Sequence, residues 1–425
     1  MFVNRLLILP TVVVLCAWLP ARAQDANLDP SAAPWSMHFQ ATSIGQHHGS
    51  FPAFYEGENS LPSHPESRVS LTATVFLTYR VNRWIEVVVN PEIAGGKGFG
   101  AVTGIAGFTN GEIPRVASAT PTPYVARAYV RNTWAIRGPG ESRLTLITGK
   151  FAITDFFDNN TYSHDPRHQF MNWSLMSNGA WDYPADVRGY TAGAMQELAT
   201  GTWSVRSALA MEPTEANGAT LDTRVAKNRG VAVEGEKRYQ AFQRAGVLRA
   251  LGFENRERAG TFRDAMLADG TTDLAATRRP GTKKYGFGLN TEQAITRDLG
   301  AFARYGWSDG KTEAWAFTQI DRSVSGGLGA QGRLWHRTGD SAGVAAVRNY
   351  LSGDDRVFLA AGGMGFIVGD GRLNYAPESI VEAYYAWHAL KEWTFTLDYQ
   401  RVANPAYNRD RGPVAVGSLR VHWEL

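Results

Sequence analysis

Cysteine is almost absent from this sequence, because the 425 residues contain only Cys16. It lies inside an N-terminal stretch that we expect to be removed, so the mature chain would have no disulfide and no thiolate metal site. Long hydrophobic runs are also lacking beyond that stretch, which excludes a bundle of transmembrane helices. The formal net charge of +3 is close to neutral and predicts no nucleic-acid partner.

Residues 1–23 have the pattern of a secretory signal peptide. Arg5 supplies the positive start, residues 6–19 form the apolar core, and Ala21-Arg22-Ala23 is a cleavage site of small residues. The apolar run is too short to span a bilayer comfortably, which disfavours a retained membrane helix. We therefore expect export through the inner membrane, with residues 24–425 forming one domain, because no linker or shift in composition divides them.

Aromatic residues and glycine are abundant, at 12% of the chain and 44 residues respectively. This composition is typical of outer-membrane barrels, which carry aromatic girdles and relieve crowding with glycine. Strict alternation of apolar and polar residues indicates strands with one apolar and one polar face. The clearest examples are residues 69–79 and the last strand, residues 414–425.

Chain length and strand spacing predict an all-β fold, a transmembrane antiparallel up-and-down β-barrel of about 16 strands around an aqueous channel. Weaker strands are predicted over 312–320 and 357–368, and Asp370-Gly371 is a hairpin signal leading into 373–377. The alternative is a soluble propeller or multi-sandwich protein. That alternative would need apolar residues on both faces of its sheets.

Residues 155–188 break the alternation and concentrate charged, amide and aromatic side chains. Here the sequence resembles the carbohydrate-selective porin family of bacterial outer membranes, the OprB type. The resemblance covers residues 35–425 and is carried by 149–158, 162–172, 178–190, 285–293 (YGFGLNTEQ), 300–311 (GAFARYGWSDGK) and 404–413 (NPAYNRDRGP). It implies a 16-stranded barrel, usually trimeric, with an inward-folded constriction and passive diffusion of sugars. The final Leu425 departs from the aromatic residue that usually ends such chains.

The side chains of this central segment suit a narrow passage for sugars. Asp, Asn and Arg make paired hydrogen bonds to hydroxyl groups, and aromatic rings stack on the sugar ring. The predicted constriction residues are Asp155, Asp158, Asn159, Arg167, Asn172, Trp173, Trp181, Asp182 and Arg188. The alternative is that the tryptophans pack within the barrel and that Asp165-Pro166 ends a turn.

Charged residues on the polar strand faces are predicted to line the lumen, because a charge on the lipid face costs about 2–4 kcal/mol at the bilayer midplane. These residues are Arg127, Arg131, Glu197, Glu234, Glu236, Glu292, Arg304 and Glu382. Alternation within residues 124–131 places Tyr124 and Ala126 on the opposite face from Arg127. Whether each charge binds solute or pairs with a neighbour stays open.

A passive pore for saccharides and other small hydrophilic solutes, without a cofactor, is the favoured function. An ion-selective pore, for instance for Mn²⁺, is the runner-up because the central segment is acidic and contains His164 and His168. That spacing suits a metal only on a helix, which Asp165-Pro166 disfavours, so no metal site is predicted. An enzyme on a barrel scaffold and a structural barrel with a blocked lumen are less favoured, and no His-Glu-x-x-His motif occurs.

Overall fold

The computed structural model describes residues 33–137, 142–267 and 269–425. The predicted signal peptide, residues 1–23, lies outside the described residues together with Cys16. Within the described ranges, sixteen antiparallel strands close into a barrel in which the first strand pairs with the last. Every strand edge is therefore paired, and the predicted fold class is confirmed.

The strands are β1 (Trp35–His48), β2 (Glu66–Arg80), β3 (Ile85–Gly96), β4 (Thr122–Arg137), β5 (Ser142–Phe151), β6 (Thr191–Thr200), β7 (Trp203–Ala210), β8 (Arg229–Ala241), β9 (Arg244–Glu257), β10 (Thr282–Ala294), β11 (Leu299–Ser308), β12 (Arg322–Gln331), β13 (Ser341–Tyr350), β14 (Glu378–Leu390), β15 (Trp393–Ala403) and β16 (Val414–Glu424). The short α-helices are α1 (Ile113–Val116), α2 (Trp173–Met176) and α3 (Gly353–Ala360). Single 3₁₀ turns occupy Phe99–Ala101, Ile153–Asp155, Ala275–Thr277, Gly332–Trp335 and Pro405–Tyr407. No helix in the described part of the chain is both long and apolar enough to cross a bilayer.

Alternation along each strand separates an apolar outer face from a polar inner face. On β2, Val69 and Tyr79 are exposed on the outside, whereas Ser70, Thr72 and Thr74 are buried inside. The closing strand β16 follows the same rule, because Leu419 points outward while Arg420 and His422 are buried. In a lipid bilayer the outer face buries its apolar side chains against hydrocarbon, so an apolar outer surface is stable on this barrel.

The connections differ in length at the two ends of the barrel. One end, called the short-turn end, has turns such as 201–202, 242–243 and 391–392 and also holds the start of β1 and the end of β16. The opposite end, called the long-loop end, has connections such as 97–121 and 351–377. The connection 152–190, called the inner loop, starts at the long-loop end and folds into the lumen.

The predicted strand over 312–320 is wrong, since this stretch is irregular apart from one bridge at Thr312. The carboxylate of Asp182, on the inner loop, accepts hydrogen bonds from the backbone N–H groups of Trp315 (2.7 Å), Ala316 (2.9 Å) and Phe317 (3.2 Å). Those donors are thereby satisfied by a side chain instead of a neighbouring strand.

The predicted strand over 357–368 is also wrong, because its first part belongs to α3. The Ser352 hydroxyl caps this helix by accepting from the N–H of Asp355 at 3.0 Å, and two aspartates lie in the first turn. Both features favour a helix N-terminus. The hairpin expected at Asp370-Gly371 does not form, and Tyr375 makes only an isolated bridge to Asn408.

Alternation also fails near the start of β4. Asn90 pairs with Arg127 and Pro91 pairs with Val125, so Ala126 is the extra residue of a bulge. Tyr124 and Arg127 therefore both face the lumen, where Tyr124 contacts Glu92 and Arg127 contacts Asp155. A bulge changes which side chains face inward, and this corrects the predicted split of Tyr124 and Ala126 from Arg127.

Replacing Leu397 by arginine tests the lipid-facing surface. Leu397 lies in the middle of β15 and is 68% exposed on the outer face. We expect Leu397→Arg to lower the free energy of unfolding in phospholipid bilayers by about 2–4 kcal/mol, because the charge meets hydrocarbon. Urea unfolding followed by tryptophan fluorescence measures this change. The matched Leu334→Arg, in a turn at the short-turn end, should change stability by no more than about 0.5 kcal/mol, and equal losses would contradict the assigned lipid face.

Candidate functional site

Carboxylates on the barrel wall hold the inner loop by its backbone. Glu234 accepts from the N–H of Asp158 (2.8 Å), and Glu292 accepts from that of Thr161 (2.6 Å). On the opposite wall, Glu382 accepts from the N–H groups of Met171 (2.5 Å) and Asn172 (3.0 Å). Since these contacts reach β8, β10 and β14, the loop crosses the lumen instead of lying along one side.

Arginines on the wall bind the same loop through its carbonyl groups. Arg304 donates to the carbonyl oxygens of Leu175 (2.9 Å) and Ser163 (2.6 Å) and pairs with the Asp158 carboxylate at 3.1 Å. Arg420 donates to the carbonyls of Pro166 and Gln169, at 2.7 and 2.8 Å. Buried guanidinium groups are thus matched by acceptors that would otherwise lack partners.

Glycines on the inner wall make room for loop side chains. A Cβ atom at Gly300 would overlap the ring of Tyr162, and one at Gly306 would overlap the side chain of Asn178. The wall therefore approaches the loop more closely than any other residue would permit.

The predicted constriction residues fall into different environments. Trp173 and Trp181 are buried in an apolar cluster, where Trp173 stacks on Phe108 with ring centroids 4.9 Å apart. Asn172 caps α2, and its amide donates to the carbonyl of Gly107 at 2.7 Å.

Further predicted constriction residues anchor the loop or its neighbours. Asp182 is buried and pairs with Lys284 at 3.1 Å, in addition to the three backbone contacts described above. Asn159 is half-buried and turns its amide back to the carbonyl of Asp155, and Arg188 donates to the carbonyl of Arg115 at 2.6 Å.

The predicted wall charges form a ladder across neighbouring strands. Arg206, which the sequence did not single out, contacts the carboxylates of Glu197 (2.9 Å), Glu234 (2.8 Å) and Glu236 (3.2 Å). Arg249 continues the ladder, at 3.0 Å from Glu236 and 3.4 Å from Glu292. Alternating charges on adjacent strands stabilise one another and leave few charges unpaired on this wall.

A second loop, which the sequence did not identify, joins the inner loop inside the barrel. It is the connection 97–121, and α1 within it carries Arg115 next to Glu112, with Nε and Oε1 3.0 Å apart. The spacing Glu-x-x-Arg beside Pro114 was a weak signal for a helical turn with paired charges. Because the stretch lacks periodicity, it was predicted only as a loop.

Glu112 lies in a buried charge cluster that joins both loops to the wall. Arg167 of the inner loop contacts Glu112 at 2.7 Å and Glu92 at 3.2 Å, and it is only 7% exposed. Arg115 is 19% exposed and also donates to the hydroxyl of Tyr190. Two arginines and two glutamates thus compensate one another, and Arg115 is the more accessible of the two cations.

An outer chamber of about 500 Å³ lies towards the long-loop end of the barrel. Its lining is largely apolar and includes Ile113, Pro114 and Val116 of α1, together with Phe108 and Phe317. This chamber offers aliphatic and aromatic surface on one side of α1.

An inner chamber of about 310 Å³ lies towards the short-turn end. It is lined by Glu112 and Arg115 of the second loop and by Asp155, Arg167 and Arg127. Arg127 and Asp155 form a bidentate ion pair, with Nε 2.6 Å from Oδ2 and Nη2 2.5 Å from Oδ1. Charges of both signs therefore border this space, directly below the apolar chamber.

A third space of about 390 Å³ lies beside β3–β6. Its lining includes the predicted wall residues Arg131 and Glu197, and Arg131 pairs with Glu86 at 3.1 Å. These two wall charges, like Arg127, border open space, whereas Glu234, Glu236, Glu292, Arg304 and Glu382 are buried.

Two loop groups keep fixed charge states near neutral pH. Burial acts to raise the pKa of Asp155, but the adjacent Arg127 guanidinium outweighs burial and holds that pKa below its usual range. Burial lowers the pKa of His164, and the nearby Arg304 lowers it further. The inner chamber therefore has an ionised Asp155 and an uncharged His164 at pH 7.

The string Gly339-Asp340-Ser341-Ala342-Gly343 matches the letters of a hydrolase nucleophile elbow. Such an elbow requires a sharp turn from a strand into a helix. Ser341 instead begins β13 and pairs with residues of β12 and β14. The motif therefore lacks its structural context and gives no support to a serine hydrolase.

Comparison with known proteins agrees with this architecture. Residues 78–425 match the family described as carbohydrate-selective porin, OprB family. No curated protein matches the chain significantly. Among solved structures, the high-pH structure of Pseudomonas putida OprB is similar, with a TM-score of 0.72 and 14% sequence identity over 92% of this chain and 94% of that one.

More distant channels share the barrel. The outer membrane channel DcaP of Acinetobacter baumannii gives a TM-score of 0.53 at 8% identity, and OmpF of Salmonella typhi gives 0.51 at 8% identity. Each comparison covers 92% of this chain and 97% of the other. At such identities the structural likeness shows the fold, whereas the family match covers most of the sequence. The chain therefore belongs to the OprB family of carbohydrate-selective porins and is an outer-membrane channel for small solutes.

Proposed function

We propose that saccharides cross this channel past α1, from the apolar outer chamber to the charged inner chamber. The observation that carries the proposal is the change of lining across this short helix, from Ile113 and Val116 on one side to Glu112 and Arg115 on the other. A sugar has weakly apolar ring faces and hydroxyl edges, so both linings suit it.

In this proposal the predicted constriction residues have two kinds of role. Asp155, Arg167 and Arg127, joined by Arg115 and Glu112, offer polar groups to the solute in the inner chamber. Asp158, Asn172, Trp173, Trp181 and Asp182 hold the inner loop in place, since they are buried among protein contacts. Arg188 positions α1 through the carbonyl of Arg115.

We further propose export by the signal peptide of residues 1–23, assembly as a homotrimer, and transport without enzymatic activity. The first rests on the sequence pattern and the second on the family resemblance alone. Fractionation of cells expressing wild-type and Arg5→Glu chains tests export, and chemical crosslinking of the purified protein tests the trimer. Hydrolysis of a glycoside or ester by the pure protein would contradict the third.

Replacing Arg115 by alanine tests the solute path. In planar bilayers, wild-type protein should give stepwise conductance that glucose reduces. We expect Arg115→Ala to weaken this block about tenfold, because a charge-assisted hydrogen bond contributes about 1.5–3 kcal/mol. Titration with glucose, other sugars and Mn²⁺ gives the apparent affinities.

The control for this experiment is Arg256→Ala, because Arg256 pairs with Glu254 near the long-loop end, outside both chambers. Its glucose block should match that of the wild type. Cation-selective conductance that sugars do not change would favour the ion-selective alternative. Complete absence of conductance would contradict the channel itself.

A further inference from the structure

Three potential metal ligands converge at the short-turn mouth of the inner chamber. They are His168 of the inner loop and His422 and Glu424 of β16, and one ligand atom from each lies within 4.8 Å of the other two. The Glu424 carboxylate lies 3.5 Å from Nε2 of His422 and 3.7 Å from Nε2 of His168. The cluster was not found from the sequence because 254 residues separate its loop and strand members.

The side chain of His422 provides an independent observation that points to a metal ligand. Its side chain is 2% exposed, and its Nδ1 atom lies 2.8 Å from the hydroxyl of Thr42. The other ring nitrogen, Nε2, is buried and has no hydrogen-bond partner, although it faces His168 and Glu424. If Nδ1–H donates to Thr42, Nε2 carries a lone pair, which is the tautomer that binds a metal.

The two spacings from Glu424 are close to those of a tetrahedral zinc site, within a cluster whose ligand atoms all lie within 4.8 Å of one another. Bonds of about 2.0–2.1 Å to nitrogen and oxygen place neighbouring ligand atoms about 3.3 Å apart. The observed separations from Glu424 exceed this by only a few tenths of an ångström. His168 and Glu424 are 40% and 57% exposed, so both can adjust, and an ion can enter from the chamber.

The nearby charges also admit a cation. The Asp165 carboxylate lies 3.9 Å from Nε2 of His168 and adds negative charge beside the cluster. Two arginines also lie nearby, and both have other partners. Arg167 pairs with Glu92 and Glu112, and the Nη1 and Nη2 atoms of Arg420 donate to two loop carbonyls and to the hydroxyl of Thr396. Two imidazoles and a carboxylate form a donor set for Zn²⁺ and similar first-row ions, not for Ca²⁺ or Mg²⁺.

We propose that His168, His422 and Glu424 bind one divalent transition-metal ion, with Zn²⁺ the best fit, and that the ion ties the inner loop to the closing strand. The site borders the inner chamber, which belongs to the solute path proposed above, but metal binding does not depend on that proposal. The effect of the bound ion on conductance does depend on the proposed solute path, because an ion here adds positive charge to the inner chamber. We expect Zn²⁺ to slow cation passage when it is added on the short-turn side.

Calorimetric titration of the EDTA-treated, full-length porin without a histidine tag tests the site, with ZnCl₂ as the probe. Wild-type protein should bind one Zn²⁺ per chain, and Zn²⁺ should raise its thermal unfolding midpoint. Thr42→Val keeps the shape of the side chain but removes the contact to His422, and should weaken binding about 10- to 100-fold. His168→Ala and Glu424→Gln should weaken it further, without loss of folding, because both side chains are partly exposed.

His38→Ala is the matched control, since His38 lies on β1 at the same end of the barrel and outside the cluster. Its Zn²⁺ affinity should equal that of the wild type. Absence of binding by the wild type, or equal binding by His168→Ala and Glu424→Gln, would overturn the proposal. Zn²⁺ binding without any effect on conductance would retain the site but contradict its influence on the solute path.

Discussion

Replacing Arg304 by alanine is expected to raise the single-channel conductance and to lower the free energy of unfolding by about 3–5 kcal/mol. The guanidinium is buried and donates to Asp158 and to the carbonyls of Leu175 and Ser163, so it fixes the inner loop at several points. Its loss leaves the buried Asp158 carboxylate and three carbonyls, including that of Asp158, without this donor. Planar-bilayer recording and urea unfolding measure the two effects.

Arg333→Ala is the control for this experiment. Arg333 pairs with Asp298 at the short-turn end and is 41% exposed, so its removal should lower stability by less than about 1 kcal/mol and leave conductance unchanged. An unchanged conductance in Arg304→Ala, together with the expected loss of stability, would show that the loop keeps its position without this arginine. That result would refute the assigned role of Arg304 in setting the channel width.

Replacing Arg167 by alanine should shift the channel towards cation selectivity and lower the free energy of unfolding by about 3–5 kcal/mol. Arg167 lies between Glu92 and Glu112, whose side chains are at most 1% exposed. Without it, Arg115 is the remaining cation in contact with Glu112, and negative charge accumulates beside the inner chamber. Reversal potentials in a salt gradient measure the selectivity, and urea unfolding measures the stability.

The double variant Arg167→Ala/Glu112→Gln separates charge from packing. Removing one negative charge should return the reversal potential most of the way to the wild-type value and recover part of the lost stability. Arg224→Ala, which removes an exposed cation from a long loop, should leave selectivity unchanged. Equal selectivity changes in Arg167→Ala and in the double variant would mean that the lost charge balance is not the cause.

The sequence by itself determined the class of the protein, because the barrel depends on local patterns. Strand alternation needs only a period of two, and the strands predicted at 69–79 and 414–425 appear as β2 and β16. The errors at 312–320 and 357–368 arose where other contacts satisfied the backbone. The Asp182 carboxylate accepts hydrogen bonds from backbone N–H groups within 312–320, and the Ser352 cap starts a helix that includes the first part of 357–368.

The tertiary structure alone decided which charges border open space and which anchor the loop. Glu382 and Arg131 are both charged residues on the polar face of a predicted strand. In the structure Glu382 is buried against the loop backbone, whereas Arg131 faces a chamber. The bulge at Ala126 brought Tyr124 into the lumen, and the loop at 97–121 brought in Glu112 and Arg115. These outcomes depend on contacts between residues far apart in the chain, which a local pattern of side chains does not record.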